Sequence, residues 1–290
     1  MRAALELDDL ILGDNQFFGI NHMSQEKARQ LAGRFNDMRK IYRAYHTAYD
    51  MGIRAVMLNA NEKAGLICDY FRDHRSEFKD LALYPSIPYP HKYANLVAEK
   101  GILGAIQEVV SGQSAWNLLG MAGKSVSALS GDMTKVMEML IDVEMRIFRK
   151  LDFKVVYLQN IITDLLLGLK FKDIFTAYCQ YIEKKYAAVP GFLTMNVPRL
   201  AAFLQECGIE NATICGNFNK IGYLMSPGPA EYEAYFRRPK YPMTAMSVYA
   251  SGAIPPAEAI EYVKGQGLKS IVFGASTRDH MAETLKLVRG

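Results

Sequence analysis

The sequence predicts a single (β/α)8 barrel over residues 1–290, an α/β fold, and three observations carry that expectation. Eight short runs rich in strand-forming residues recur along the chain, and each is followed by a segment that can be helical. Strands alternating with helices require a parallel sheet, because a parallel connection needs a crossover. Eight units and no ninth imply closure into a barrel rather than an open doubly wound sheet.

The first strand is LILG (10–13), followed by the loop DNQFFGINHMS and an amphipathic helix over 25–49 that Gly52 ends. RAVMLN (54–59) is the second strand, and EKAGLICDYFRDH after it has helical spacing. LALYPSI (81–87) is the third, leading into a Pro-rich turn and a helix from about residue 92. FKVVYLQN (153–160) and VPGFLTMN (189–196) are the fourth and fifth. NATICGN (211–217), PMTAMSVY (242–249) and KSIVFGA (269–275) complete the set. The long connection between strands three and four breaks the symmetry. Residues 101–150 within it read as an insertion of helix and Gly/Ser-rich loop, expected as a lid or a dimer contact.

Composition narrows the function classes. Half the residues are hydrophobic and 22% charged, as in ordinary globular proteins. A formal charge of +4 without any Lys/Arg run gives no nucleic-acid footprint. The apolar stretch IITDLLLGL is broken by Asp164 and too short to span a bilayer, and MRAALELDDL has no apolar signal region. Cys68, Cys179, Cys207 and Cys215 are widely spaced without a CxxC, which suits reduced thiols in a cytoplasmic protein. The expected partner is a small molecule, phosphorylated or not, with no nucleic acid and no membrane; a homo-oligomer stays open.

Barrels of this kind work at the C-terminal ends of their strands. The polar residues there are mostly amides, which hydrogen-bond well but carry no protons. Proton carriers are few: Asp14 and His22 after strand one, Glu62 after strand two, and Tyr89, His91 and Lys92 in PYPHKY after strand three. Glu62 leads. Buried above an apolar floor, its pKa would rise towards neutrality and suit general acid–base work; the bland alternative is a first-turn acid of the second helix. Asp14 fits either chemistry or an Asx turn. PYPHKY fits either a proton-donor cluster or a stiff connection. His46 and His74 lie in helices away from the mouth and read as structural. No metal is expected, since no HxH or HExxH spacing anchors one. GMAGKS is not a Walker loop, because Leu118 occupies the required first glycine.

An anion site is expected after strands seven and eight, where barrels frequently bind phosphate. Ser251 and Gly252 after strand seven, and Gly274, Ala275, Ser276 and Thr277 after strand eight, are small residues that can present N–H groups at a helix start. Arg278 and His280 could add charge. The anion could belong to a nucleotide or to a phosphorylated substrate, or the segment could be a capped turn alone.

Several of these segments resemble the aldo/keto reductases, NADP-dependent (β/α)8 oxidoreductases. Asn196 in FLTMN stands where that family has the Asn of a Ser-Asn pair holding the nicotinamide amide, with Met195 in place of the Ser. AMSVYASGAI resembles the segment passing the cofactor pyrophosphate, with Ser247, Ala250 and Gly252 in place. VFGASTRDHMAET resembles the loop around the adenosine phosphate, matching at Gly274, Ala275, Ser276 and Thr277; His280 falls on an Arg position and Glu283 keeps an acidic one. ILGDNQFFG is similar to the first strand. The resemblance implies NADP(H) as cofactor, but the catalytic tetrad is not retained. Met57 falls at the family's Asp, Glu62 at its Tyr, Pro85 or Ser86 at its Lys, and Gln159 or Asn160 at its His. The expectation is therefore an NADP(H)-linked oxidoreductase with a different proton set, Glu62 with Tyr89, His91 or Lys92. The alternatives are an isomerase, lyase or hydrolase using Glu62 and Asp14 on a phosphorylated small molecule, or a non-catalytic ligand-binding barrel.

Overall fold

A computed structural model describes residues 5–20, 24–89, 99 and 133–290. Eight parallel strands close in sequence order, β1 (Leu10–Leu12), β2 (Ala55–Asn59), β3 (Ala82–Ile87), β4 (Val155–Leu158), β5 (Val189–Thr194), β6 (Thr213–Asn217), β7 (Met243–Met246) and β8 (Ser270–Phe273). Closure is made by β1 on β8, where Leu10, Ile11 and Leu12 oppose Ile271, Val272 and Phe273.

The period of two along each strand divides the core into two compartments. Ile11, Met57, Tyr84, Tyr157, Leu193 and Cys215 fill the barrel, whereas their neighbours Leu12, Leu58, Leu83, Val156, Phe192 and Ile214 face the helices. Gly191 makes room for the Tyr157 ring, since a Cβ there would collide with it. The N-terminal end is plugged by polar groups, with Tyr84 Oη donating to Asp8 at 2.5 Å and Lys154 pairing with the same carboxylate at 2.9 Å. The opposite end is left for the site.

The helices are α1 (Gln25–Arg34), α2 (Met38–Asp50), α3 (Glu62–Asp73), α4 (Met133–Met145), α5 (Asn160–Gly168), α6 (Lys172–Tyr181), α7 (Val197–Glu206), α8 (Pro229–Phe236), α9 (Pro256–Gly265) and α10 (Arg278–Arg289). Most starts are written locally. Ser24, Asp37, Asn61, Asn196 and Thr277 each accept a first-turn backbone N–H, a cap worth about 1 kcal/mol.

The single helix expected over 25–49 is two. Asp37 caps a fresh start, accepting from Arg39 N at 2.9 Å, and the chain turns at Phe35, whose ring is buried edge-on against Phe17. As a result α2 packs on the barrel through the buried Ile41, Tyr45 and Ala48, while α1 has no fully buried residue, touches the core through Leu31 and stands over the mouth. Of the insertion expected over 101–150, residues 101–132 lie outside the described residues; α4 follows them and leads by a short 3-10 turn, Arg146–Phe148, towards β4. Among the described residues no helix is long and apolar enough to cross a membrane.

Candidate active site

The strand period that fills the barrel also sets what lies one rung above the core. Asn59, Ser86, Gln159 and Asn217 occupy that rung on the β2, β3, β4 and β6 sides, with Met195 and Met246 on the β5 and β7 sides and Gly13 and Gly274 flanking the β1–β8 seam. They floor a cavity of about 1340 Å³ at the C-terminal end of the barrel, larger than the roughly 300–1,000 Å³ of an ordinary small-molecule site.

One pole of the cavity holds a buried carboxyl. Asp14 follows β1 and is buried, 3% exposed. Asn59 holds both carboxylate oxygens, its backbone N–H donating to Oδ2 at 2.7 Å and its side-chain amide to Oδ1 at 2.8 Å. Burial outweighs those two bonds and raises the Asp14 carboxyl to about 7. Tyr89, half-buried at the same pole, has its phenol raised by burial and then by the Asp14 charge; Glu144 anchors its backbone, accepting from Tyr89 N at 3.1 Å. The Tyr45 hydroxyl lies on the helix side, raised first by burial and next by Asp14.

The other pole is lined by small residues and cations. The loop after β7 is wound left-handed at Ser247 (φ 56°), Ala250 (φ 44°), Ser251 (φ 58°) and Gly252 (φ 92°). Three non-glycine residues in that region within five positions cost about 1 kcal/mol each, a strain that clusters at ligand sites. Left-handed turns can leave backbone N–H groups open to an anion, although here those of Ala250, Gly252 and Ala253 donate within the loop to the carbonyls of Ser247, Tyr249 and Ala250. Opposite, α1 supplies Lys27, Gln30 and Arg34, and α10 supplies His280 and Glu283. Lys27 Nζ lies 3.7 Å from where a Cβ on Gly252 would sit. At Gly274 a Cβ would come within 2.9 Å of Gln16 Oε1, and Gln16 is itself tied to Gly13 O at 2.6 Å. The glycine is therefore required for the cavity to run past β8.

The sequence-derived candidates fall into four groups. Asp14, Tyr89, Ser247, Gly252, Gly274, Ser276, His280 and Glu283 all line the one cavity. Glu62 does not: it is exposed on the first turn of α3, immediately after its cap Asn61, so the burial on which its acid–base role was expected to rest is missing. Asn196 also stands aside, its Oδ1 accepting from Arg199 N at 3.2 Å to cap α7. Met195 faces the cavity instead, its backbone clamped by Tyr232 Oη on its carbonyl and Asp164 on its N–H. Thr277 spends its hydroxyl capping α10 and, with Arg278, borders a neighbouring groove. His22, His91 and Lys92 lie outside the described residues.

Of the tetrad positions, Met57, Ser86, Gln159 and Asn160 reach the cavity, and Glu62 and Pro85 do not. His46 and His74 pack on Tyr70, away from the mouth. Lys27, Gln30 and Arg34 were missed, although their spacing along α1 was a readable polar stripe. Among the described residues no group of three or more His, Cys, Asp or Glu could hold a metal ion.

A closed parallel barrel of eight strands with helices around it is a (β/α)8 barrel. Its chain path is that of the aldo-keto reductases. A Pseudomonas aeruginosa protein described as an aldo-keto reductase superposes with a TM-score of 0.61 at 12% identity, covering 98% of this chain and 91% of its own. The Bacillus halodurans aldo-keto reductase in its holo form gives 0.57 at 9%, covering 100% and 89%. A thermostable aldo-keto reductase solved with the inhibitor epalrestat gives 0.57 at 11%, covering 100% and 92%. At these identities the likeness is one of fold. No protein-family model matches the sequence, and no curated protein matches it.

Proposed function

We propose that this barrel is an oxidoreductase that binds NADP(H) along the mouth and interconverts a carbonyl and an alcohol, with Asp14 as its proton carrier. The observation that carries the reading is that a buried carboxyl poised at about 7 shares one long cavity with a strained, cation-flanked pole. The cofactor supplies hydride chemistry when bound.

The chain's own residues divide the remaining work. Ser251 and Ser276 offer small, N–H-bearing backbone to phosphates, while the Gly252 N–H is held by the Tyr249 carbonyl, and Lys27, Arg34 and His280 offer charge around them. The Gly274 gap admits a ligand that runs along the rim. Gln159, Asn160 and Asn217 are the amides available to a carboxamide, in place of Asn196. Asp14 holds a proton below about pH 7 and releases it to a carbonyl oxygen as negative charge develops there; in the reverse direction its carboxylate takes the alcohol proton. Asn59 fixes both oxygens of that carboxyl, so the group does not need to reorganise.

Acid–base work on a phosphorylated metabolite would use the same two poles. The cavity's size favours a dinucleotide-sized occupant over such a ligand. The test is NADPH consumption with a panel of aldehydes and ketones at pH 6 and pH 8, wild type against Asp14→Asn. Turnover that is faster at pH 6 and absent in the variant is expected. Equal turnover by the variant would remove Asp14 from the chemistry, and activity confined to phosphorylated substrates without nucleotide would replace the reading.

A further inference from the structure

Ser86 has no role in the fold that its position explains. It stands on the inward face of β3, one rung above Tyr84, with Leu83 and Ile87 turned to the helices. Its residue is 1% exposed, and its Oγ is a buried polar atom with no hydrogen-bond partner among the described residues. Its backbone is fully used in the sheet: Ser86 pairs with Asn59 on one side and Tyr157 on the other, and its carbonyl accepts from Ala60 N at 3.2 Å. A buried hydroxyl left unsatisfied costs about 1–3 kcal/mol relative to a satisfied one, and alanine would be free of that cost. Proteins retain few such groups.

The surroundings say what the hydroxyl faces. Ser86 lines the cavity, and its register partner Asn59 is the residue that grips Asp14. Asp14, Asn59 and Ser86 thus sit on three consecutive strand ends of the rim, with Tyr89 three residues beyond Ser86. We infer that Ser86 contacts the substrate, donating its hydroxyl proton to the same oxygen that exchanges a proton with Asp14. The reacting oxygen then has two donors, Ser86 Oγ–H and the Asp14 carboxyl, arriving from β3 and β1. No bond to Ser86 forms or breaks; its O–H stabilises the charge that develops on that oxygen, as a donor in an oxyanion site does. The inference rests on the reading of Asp14 as the proton carrier.

The test is Ser86→Ala, with three readouts on the whole chain: thermal unfolding without ligand, NADPH titration, and steady-state reduction of glyceraldehyde with NADPH. A substrate-directed hydroxyl predicts a Tm equal to or above that of the wild type and unchanged NADPH affinity. It also predicts a kcat lower by about 10- to 100-fold, the range for loss of one such donor. A structural hydroxyl would lower the Tm on removal, and that result overturns the inference whether or not the wild type reduces the probe. An unchanged kcat in an active enzyme also overturns it. Failure of the wild type to bind NADPH strikes the proposed function instead, and the unfolding comparison still decides whether Ser86 is structural.

Discussion

Asp14→Asn isolates the electrostatic centre of the site. The wild-type carboxyl is moved from 3.8 to about 7 by burial, which at about 1.36 kcal/mol per unit is a penalty of about 4 kcal/mol once the group is ionised. The sign follows from proton counting. Between about pH 4 and pH 7 the folded state holds a proton at Asp14 that the unfolded state has released, so stability falls as pH rises through that window and levels off above it. From pH 5 to pH 8 the loss from this one group is about 3 kcal/mol, or roughly 5–10 °C in Tm for a chain of this size.

Asparagine removes the titration and can keep the geometry. Its Oδ1 can accept from Asn59 N, and the Asn59 amide can turn over so that its own Oδ1 accepts from the new Nδ2. The assay is thermal unfolding of both proteins across pH 5–8, read as the difference between them so that all other groups cancel. The variant should gain on the wild type steadily as pH rises, by the amount above. Parallel curves would mean that Asp14 titrates as an ordinary carboxyl, and the proton-carrier assignment would fall with it.

Further expectations follow from the same geometry. Lys27→Ala and Arg34→Ala should each weaken NADPH binding by about 1 kcal/mol or more and flatten its salt dependence, because both cations face the anion pole; affinity unchanged in both would dismiss α1 as a binding element. Gly274→Ala would set a Cβ 2.9 Å from Gln16 Oε1, so calorimetric titration should register lost nucleotide affinity well beyond any fall in Tm. Glu62→Gln should leave kcat and KM within about twofold and move Tm by no more than about 1 °C, the ordinary outcome for an exposed side chain; a dead enzyme would restore Glu62 to the site.

The strand period made the barrel readable, and it also marked the rung above the core, since Asn59, Gln159 and Asn217 each follow an inward strand residue by two. Burial was harder to read. Glu62 and Asp14 both follow strands, but Asn61 caps a helix that turns Glu62 to solvent, so the first-turn alternative for Glu62 is the one the structure takes. Asp14 is buried because Asn59, 45 positions away, closes over it, and no local pattern records that contact. Asn196 misled for a different reason: NVPR is also a helix start, and the cap took its oxygen. The break at 35–37 that frees α1 to stand over the mouth was signalled by Asp37 inside an otherwise continuous amphipathic run.

The measurement that bears most directly on the account is a titration of the purified protein with NADPH, followed by nucleotide fluorescence and thermal shift, with NADH and inorganic phosphate as controls. Saturable, salt-sensitive binding of NADPH that phosphate competes only weakly is the expected result. A response to phosphate with none to either nucleotide would contradict the account and assign the cation-flanked pole to a smaller, phosphorylated ligand.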